Sequence, residues 1–173
     1  MGMKYGYKLM NHDMTAIGGF QYELNREYAL ATPIQPDNGF YFCSNPLQCF
    51  SYYDNLFGDL RMFVVEGTGP FIEDEDKIAC SKIKLIEEII DVKHFITEII
   101  DLDLEKGHES LLFEGDSSTY YWLVKHQELS TNTLQKILNT ITNNKQFWPK
   151  KSHIRATIKI IEEILKERDK YDI

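Results

Sequence analysis

Hydrophobic positions alternate along the first half of the chain and recur every three to four residues along the second. YGYKLM (5–10), GGFQYELNREYAL (18–30) and the short apolar GFYF (39–42), which follows the turn QPDNG, read as strands. LRMFVVEG (60–67) carries the clearest strand pattern, and SKIKLIEEI (81–89) alternates again after the solvated acidic loop IEDEDK (72–77). Between these strands SNPLQCFSYY (44–53) predicts a helix. Ser44 or Asn45 can accept hydrogen bonds at its start, Pro46 suits the first turn, and Leu47, Phe50 and Tyr53, or Leu47 and Ser51, share a face.

The second half changes period. Asp91 can cap VKHFITEIIDLDLEK, with Phe95, Ile96, Ile99 and Leu102 as one stripe and Gly107 as the stop. SLLFEG (110–115) reads as a short strand, and STYYWLVKH (118–126) fits helix or strand. Ser130 caps TNTLQKILNTITNN, with Leu134, Ile137, Leu138 and Ile141 in line. Ser152 caps a last helix that aligns Ile154, Ile158, Ile161 and Leu165. Strands followed by helices predict an α+β fold rather than alternating βαβ units. The expected division is a β-rich module over 1–90, completed by a strand from 109–115, with a helical portion over 91–173 packed on it as one compact unit.

Composition narrows the function classes. At 173 residues, with 43% hydrophobic and 13% aromatic side chains, the chain can bury a core. No apolar run approaches the ~18 residues of a membrane span, and the N-terminal MGMKYGYKLM has no apolar signal-peptide segment. Cys43, Cys49 and Cys80 are an odd number without CxxC spacing, which predicts buried thiols in a reducing compartment, the cytoplasm. No histidine pairs at metal-ligand spacing, so no metal is expected. The net charge of −8 divides unevenly: −3 over 1–70, −9 over 71–116 and +4 over 117–173. An acidic chain is a poor nucleic-acid partner, although Lys145, Lys150, Lys151, Arg155 and Lys159 beside Phe147 and Trp148 mix basic and aromatic groups. A solvated helix face is the commoner reading of such a cluster.

Two resemblances follow from particular blocks. Gly6-Tyr7-Lys8, Gly19-Phe20-Gln21-Tyr22-Glu23, Gly39-Phe40-Tyr41-Phe42-Cys43, Pro46 and Tyr52-Tyr53 occur in the order of an uncharacterised domain family of phages, prophages and large DNA viruses, which this chain resembles. That resemblance implies a host or virus-infected cell and no known activity. Gly39-Phe40-Tyr41-Phe42, Tyr52 at the following helix tyrosine and Met62 to Gly69 as the next strand are similar to poly(ADP-ribose) polymerases and related ADP-ribosyltransferases.

This second resemblance implies a split sheet in which Tyr41 and Tyr52 sandwich the nicotinamide of NAD. Flat aromatic faces suit a flat cationic ring. The family's first-strand His or Arg corresponds to Lys8, and its helix Ser, which binds the nicotinamide amide, corresponds to Cys49. Its catalytic glutamate, which grips the ribose 2′-hydroxyl, corresponds to Glu114 one residue out of register. Glu66 lies closer to the motif but on another strand. These replacements imply altered or lost catalysis.

Plainer roles compete for the same residues. Tyr41 and Tyr52 suit a core, and Lys8 on an alternating strand suits solvent. Gln21 can satisfy backbone groups at a sheet edge or bind a ligand amide. Glu114 suits a surface, and Glu66 beside Val65 needs a partner if buried. The expected function is thus an ADP-ribosyltransferase-like protein that binds NAD or a related nucleotide. The alternative is a non-catalytic interaction module whose helical half docks a protein partner. The acidic 71–116 segment against the basic 117–173 segment would also permit self-association or internal charge pairing.

Overall fold

A computed structural model describes residues 2–56, 59–74, 77–106, 111–112, 118–146 and 152–172. The chain divides into two compact units, Met1–Val92 and Lys93–Ile173. The first contains the sheet and the second contains helices, so the fold is α+β, as the change of period predicts.

The first unit is a five-stranded antiparallel sheet of β1 (Met3–Met10), β2 (Glu27–Ala29), β3 (Phe40–Phe42), β4 (Arg61–Glu73) and β5 (Ile78–Ile89). β1 pairs with β4, placing Lys8 opposite Phe63 and Tyr5 opposite Glu66. β4 pairs with β5, whose other edge takes both β2 and β3, with Tyr28 opposite Ile83 and Phe42 opposite Ile78. Just past β3 the backbones of Tyr7 and Cys43 exchange two hydrogen bonds of 2.7 and 2.9 Å. The pairings therefore run β1-β4-β5-β3 and return to β1.

Two missing Cβ atoms permit this return. A Cβ at Gly6 would lie 2.4 Å from the Phe42 ring and 2.5 Å from the Cys43 carbonyl, and one at Gly67 would lie 2.6 Å from the same ring. Phe42 therefore sits directly against the backbones of β1 and β4. It packs with Met10, Phe63, Val65, Ile83 and Leu85 in the core. Burial of such a ring is worth about 1.5–3 kcal/mol.

Between β3 and β4 the predicted helix is present, but wound as a 3₁₀ helix over Pro46–Asn55. The Asn45 side chain accepts from the Leu47 N–H at 2.9 Å, and Pro46 occupies the first turn. Leu47 and Phe50 are both fully buried, and their spacing of three residues is the period of this tighter helix. The expected strand over 18–30 shrinks to Glu27–Ala29 because Gly18, Gly19 and Asn25 take left-handed backbone angles, φ 86°, 86° and 63°. β4 runs on to Glu73, past its predicted end at Gly67, and β5 starts at Ile78, three residues before its predicted start, and ends at Ile89 as predicted.

The second unit contains α1 (Val92–Glu105), α2 (Ser118–His126), α3 (Thr131–Asn143) and α4 (Ser152–Asp169). Ser130 caps α3 as predicted, its hydroxyl accepting from the Thr133 N–H at 3.1 Å. STYYWLVKH resolves as helix. On α1 the buried line is Ile96, Ile100 and Asp103; of the predicted stripe Ile96 is buried, Phe95 and Ile99 are half-buried and Leu102 is exposed. The cause is polar: the Tyr120 hydroxyl donates to Asp103 Oδ2 at 2.7 Å, and the Leu111 N–H donates to Oδ1 at 3.3 Å, turning that side inward. Of the strand expected at 109–115, Leu111 and Leu112 are described and lie in a turn, and the rest lies outside the described residues. Among the described residues no helix is long and apolar enough to cross a membrane.

Two substitutions test these packing arguments by denaturant unfolding. Gly6→Ala should cost at least about 2 kcal/mol, since neither ring nor carbonyl can retreat freely, whereas Gly2→Ala, which has open space around it, should be near neutral. Tyr120→Phe should cost about 1–3 kcal/mol by leaving a buried Asp103 oxygen unpaired.

Candidate ligand pocket

A cavity of about 280 Å³ opens where β1, β3 and the 3₁₀ helix meet. β1 contributes Tyr7, Lys8 and Leu9, and β3 with its extension contributes Tyr41, Phe42 and Cys43. The 3₁₀ helix and its end contribute Cys49, Tyr52 and Leu56, while Ile17 and Lys77 complete the wall. Four residues singled out in the sequence, Lys8, Tyr41, Cys49 and Tyr52, thus share one cavity.

Lys8 lies on the core side of β1, two residues from buried Met10 and directly across from Phe63, rather than on the solvent face. Its Nζ donates to the Tyr41 carbonyl at 2.6 Å and stands 5.6 Å from the Tyr22 ring centre. Among the described residues no carboxylate forms an ion pair with it. Burial pushes its pKa below the ordinary 10.5, and the thiols of Cys43, Cys49 and Cys80 pull it part of the way back.

Tyr41 and Tyr52 flank a positive charge. The Lys77 ammonium stands over both rings, 4.9 Å from the centre of Tyr41 and 5.8 Å from that of Tyr52. The Tyr41 hydroxyl donates to the Pro36 carbonyl, which fixes the ring. Lys77 belongs to the loop that the sequence pattern assigns to solvent. Extending the β3–β5 register by one residue past Phe42–Ile78 sets it across from Cys43, so strand register would have located it.

The three thiols are buried. Cys49 is pushed well up, first by its hydrogen bond with the Cys43 thiol and then by burial. Burial pushes Cys80 up to about 12. Cys49 and Cys80 therefore stay protonated at neutral pH. Cys49 Sγ donates to the Tyr7 carbonyl at 3.5 Å, so the donor assigned to a nicotinamide amide is already engaged with β1.

The other candidates fall elsewhere. Gln21 is exposed and lines no part of this cavity, its Nε2 donating to the carbonyls of Asp13 at 2.8 Å and Tyr22 at 3.3 Å. It acts as a backbone partner within the segment between β1 and β2. Glu66 shares a cross-strand row with Tyr5 and Lys84, on the face of β1 and β4 opposite Lys8. Glu114 lies outside the described residues. No described carboxylate lines the cavity, and no described group of three or more His, Cys, Asp or Glu could hold a metal ion. Tyr7 and Phe42 belong to the Gly6-Tyr7-Lys8 and Gly39-Phe40-Tyr41-Phe42 blocks without being assigned to the site, whereas Ile17, Leu56 and Lys77 lie outside any motif.

The depressed Lys8 pKa fixes the sign of a pH effect. The unfolded chain holds the Lys8 proton up to 10.5, and the folded chain releases it earlier. Between the two values the unfolded chain binds more protons, so the Lys8 contribution to stability rises with pH across that window and is flat below it. The raised Cys49 and Cys80 act in the opposite sense above pH 9, so the Lys8 contribution is read as the difference between native protein and Lys8→Met, which should grow in favour of the native protein up to pH 10.5 by about 1.4 kcal/mol per unit of depression in denaturant unfolding. Equal slopes in the two proteins would contradict the burial of Lys8.

No curated protein and no solved structure matches the chain. A family model, Domain of unknown function (DUF7666), matches residues 4–98, which covers the sheet unit and the start of α1. That span is more than half of the chain, and it contains every described residue that lines the cavity. This protein belongs to the DUF7666 family.

Proposed function

We propose that the sheet unit binds a small planar anion of the nucleotide class, with NAD the specific candidate, and that it binds without transferring ADP-ribose. The observation that carries this reading is the convergence of two tyrosines and two lysines on one cavity. Tyr41 and Tyr52 offer faces to a flat ring, and their grouping agrees with what the ADP-ribosyltransferase resemblance implies. Lys77 offers positive charge and Lys8 offers N–H donors, which favours a phosphate or carboxylate elsewhere on the ligand. At about 280 Å³ the cavity stands at the lower limit of small-molecule sites, so it fits one ring and its attached charge rather than a whole dinucleotide.

Transfer of ADP-ribose asks for more. Departure of nicotinamide leaves an oxocarbenium-like ribose, which a carboxylate stabilises. No described carboxylate lines this cavity, and Glu66 belongs to the opposite face of the sheet. Binding without turnover is the reading these residues support.

Calorimetry with NAD and with nicotinamide mononucleotide tests it, run beside an assay for released nicotinamide. Saturable binding is expected, with the mononucleotide holding most of the affinity and no nicotinamide released. Tyr52→Ala should weaken binding about tenfold or more through the lost ring contact, and Lys77→Met should weaken it through the lost charge. Absence of heat with both ligands would overturn the reading, and catalytic release of nicotinamide would overturn its second half.

A further inference from the structure

We propose that Lys8 is an amine nucleophile that captures a planar anionic carbonyl compound, an aromatic aldehyde or a 2-oxo acid, as an imine inside this cavity. The inference rests on the reading of the cavity as a site for planar anions and assigns it a covalent step.

Geometry carries it first. The Lys8 Nζ is held by one acceptor, the Tyr41 carbonyl at 2.6 Å, which fixes the nitrogen at the cavity wall. No described carboxylate pairs with it or lines the cavity, so no described negative charge holds Lys8 in its unreactive ammonium form. Lys4 on the same strand shows the contrast, since it pairs with Glu73. Burial of Lys8 acts in the same direction, favouring the neutral amine.

The surroundings suit the product. Tyr41 and Tyr52 wall a flat ring, and Lys77 stands over both to meet an anionic substituent. Leu9, Phe42 and Leu56 give the cavity an apolar wall beside Lys8. Cys49 and Cys80 remain thiols at neutral pH and so do not compete for the carbonyl as thiolates.

The step balances without a further reactant. The amine lone pair forms a C–N bond to the carbonyl carbon, and the carbonyl π pair passes to oxygen. The carbinolamine oxygen then leaves as water with the two amine protons, and C=N forms. No electron is gained or lost.

Pyridoxal 5′-phosphate, a flat anionic aldehyde, serves as the probe on the full chain. Imines are reduced with borohydride near neutral pH, and the modified lysines are located by peptide mass spectrometry. Lys8 should be modified at least about tenfold faster than any exposed lysine, because only a neutral amine attacks. Pyridoxine 5′-phosphate, which has the ring and phosphate but no aldehyde, should slow that modification by competition. Mapping uses the native chain, so the result does not depend on whether Lys8→Met folds. Lys77→Met should slow the reaction while leaving Lys8 as its site. Modification spread evenly over exposed lysines overturns the proposal. Saturable pyridoxine phosphate binding with no Lys8 adduct overturns the imine and leaves the anion pocket standing. Neither binding nor adduct overturns both.

Discussion

The Phe42 ring sits against two positions that have no Cβ, Gly6 on β1 and Gly67 on β4, and the rest of the sheet unit depends on that contact. An ordinary side chain at either glycine would push the ring outward. β3 could then no longer pair with β5 on one side while its extension reaches Tyr7 on the other. The glycines answer a packing demand here rather than a conformational one, since neither needs a left-handed backbone angle.

The pocket is a consequence of the same contact. When Cys43 pairs with Tyr7, the chain that follows is committed to cross the edge of β1, and Asn45 and Pro46 start the 3₁₀ helix there. Its period of three turns Leu47 and Phe50 inward and leaves Tyr52 beside the cavity. The Tyr41 carbonyl is then placed to hold Lys8, and the start of β5 brings Lys77 over both tyrosines. A lysine on the core side of a strand is a costly placement in a purely structural role, because a desolvated ammonium wants an anion or must lose its proton. An opening onto a cavity with a second lysine resolves that tension if an anion or a carbonyl compound enters.

Local signals were legible in the sequence and non-local ones were not. The strands β1 and β4, the Ser130 cap and the helix after Asn45 follow from alternation, capping chemistry and a proline, all readable over a few residues. Tyr41, Tyr52, Lys8 and Cys49 could be singled out as a group through motif spacing. Lys77 and Ile17 could not, because their place depends on the β3–β5 register and on a loop held by Gly18 and Gly19. The stripe predicted for α1 is right at Ile96 and fails at Leu102 because periodicity weighs apolar residues, whereas a buried Asp103–Tyr120 hydrogen bond sets which side turns inward. Glu66 sits in a strand of the right composition but on the wrong face, and parity along β4 decides that only once pairing with β1 is known.

A backbone amide NMR titration with nicotinamide mononucleotide tests the central claim most directly, that the return of β3 to β1 builds a site for a planar anion. The expected result is saturable shifts clustered at residues 7–9, 41–43, 49–56 and 77, with the solvent-face row of Tyr5, Glu66 and Lys84 undisturbed. Shifts confined to other parts of the chain, or none at saturating ligand, would contradict it.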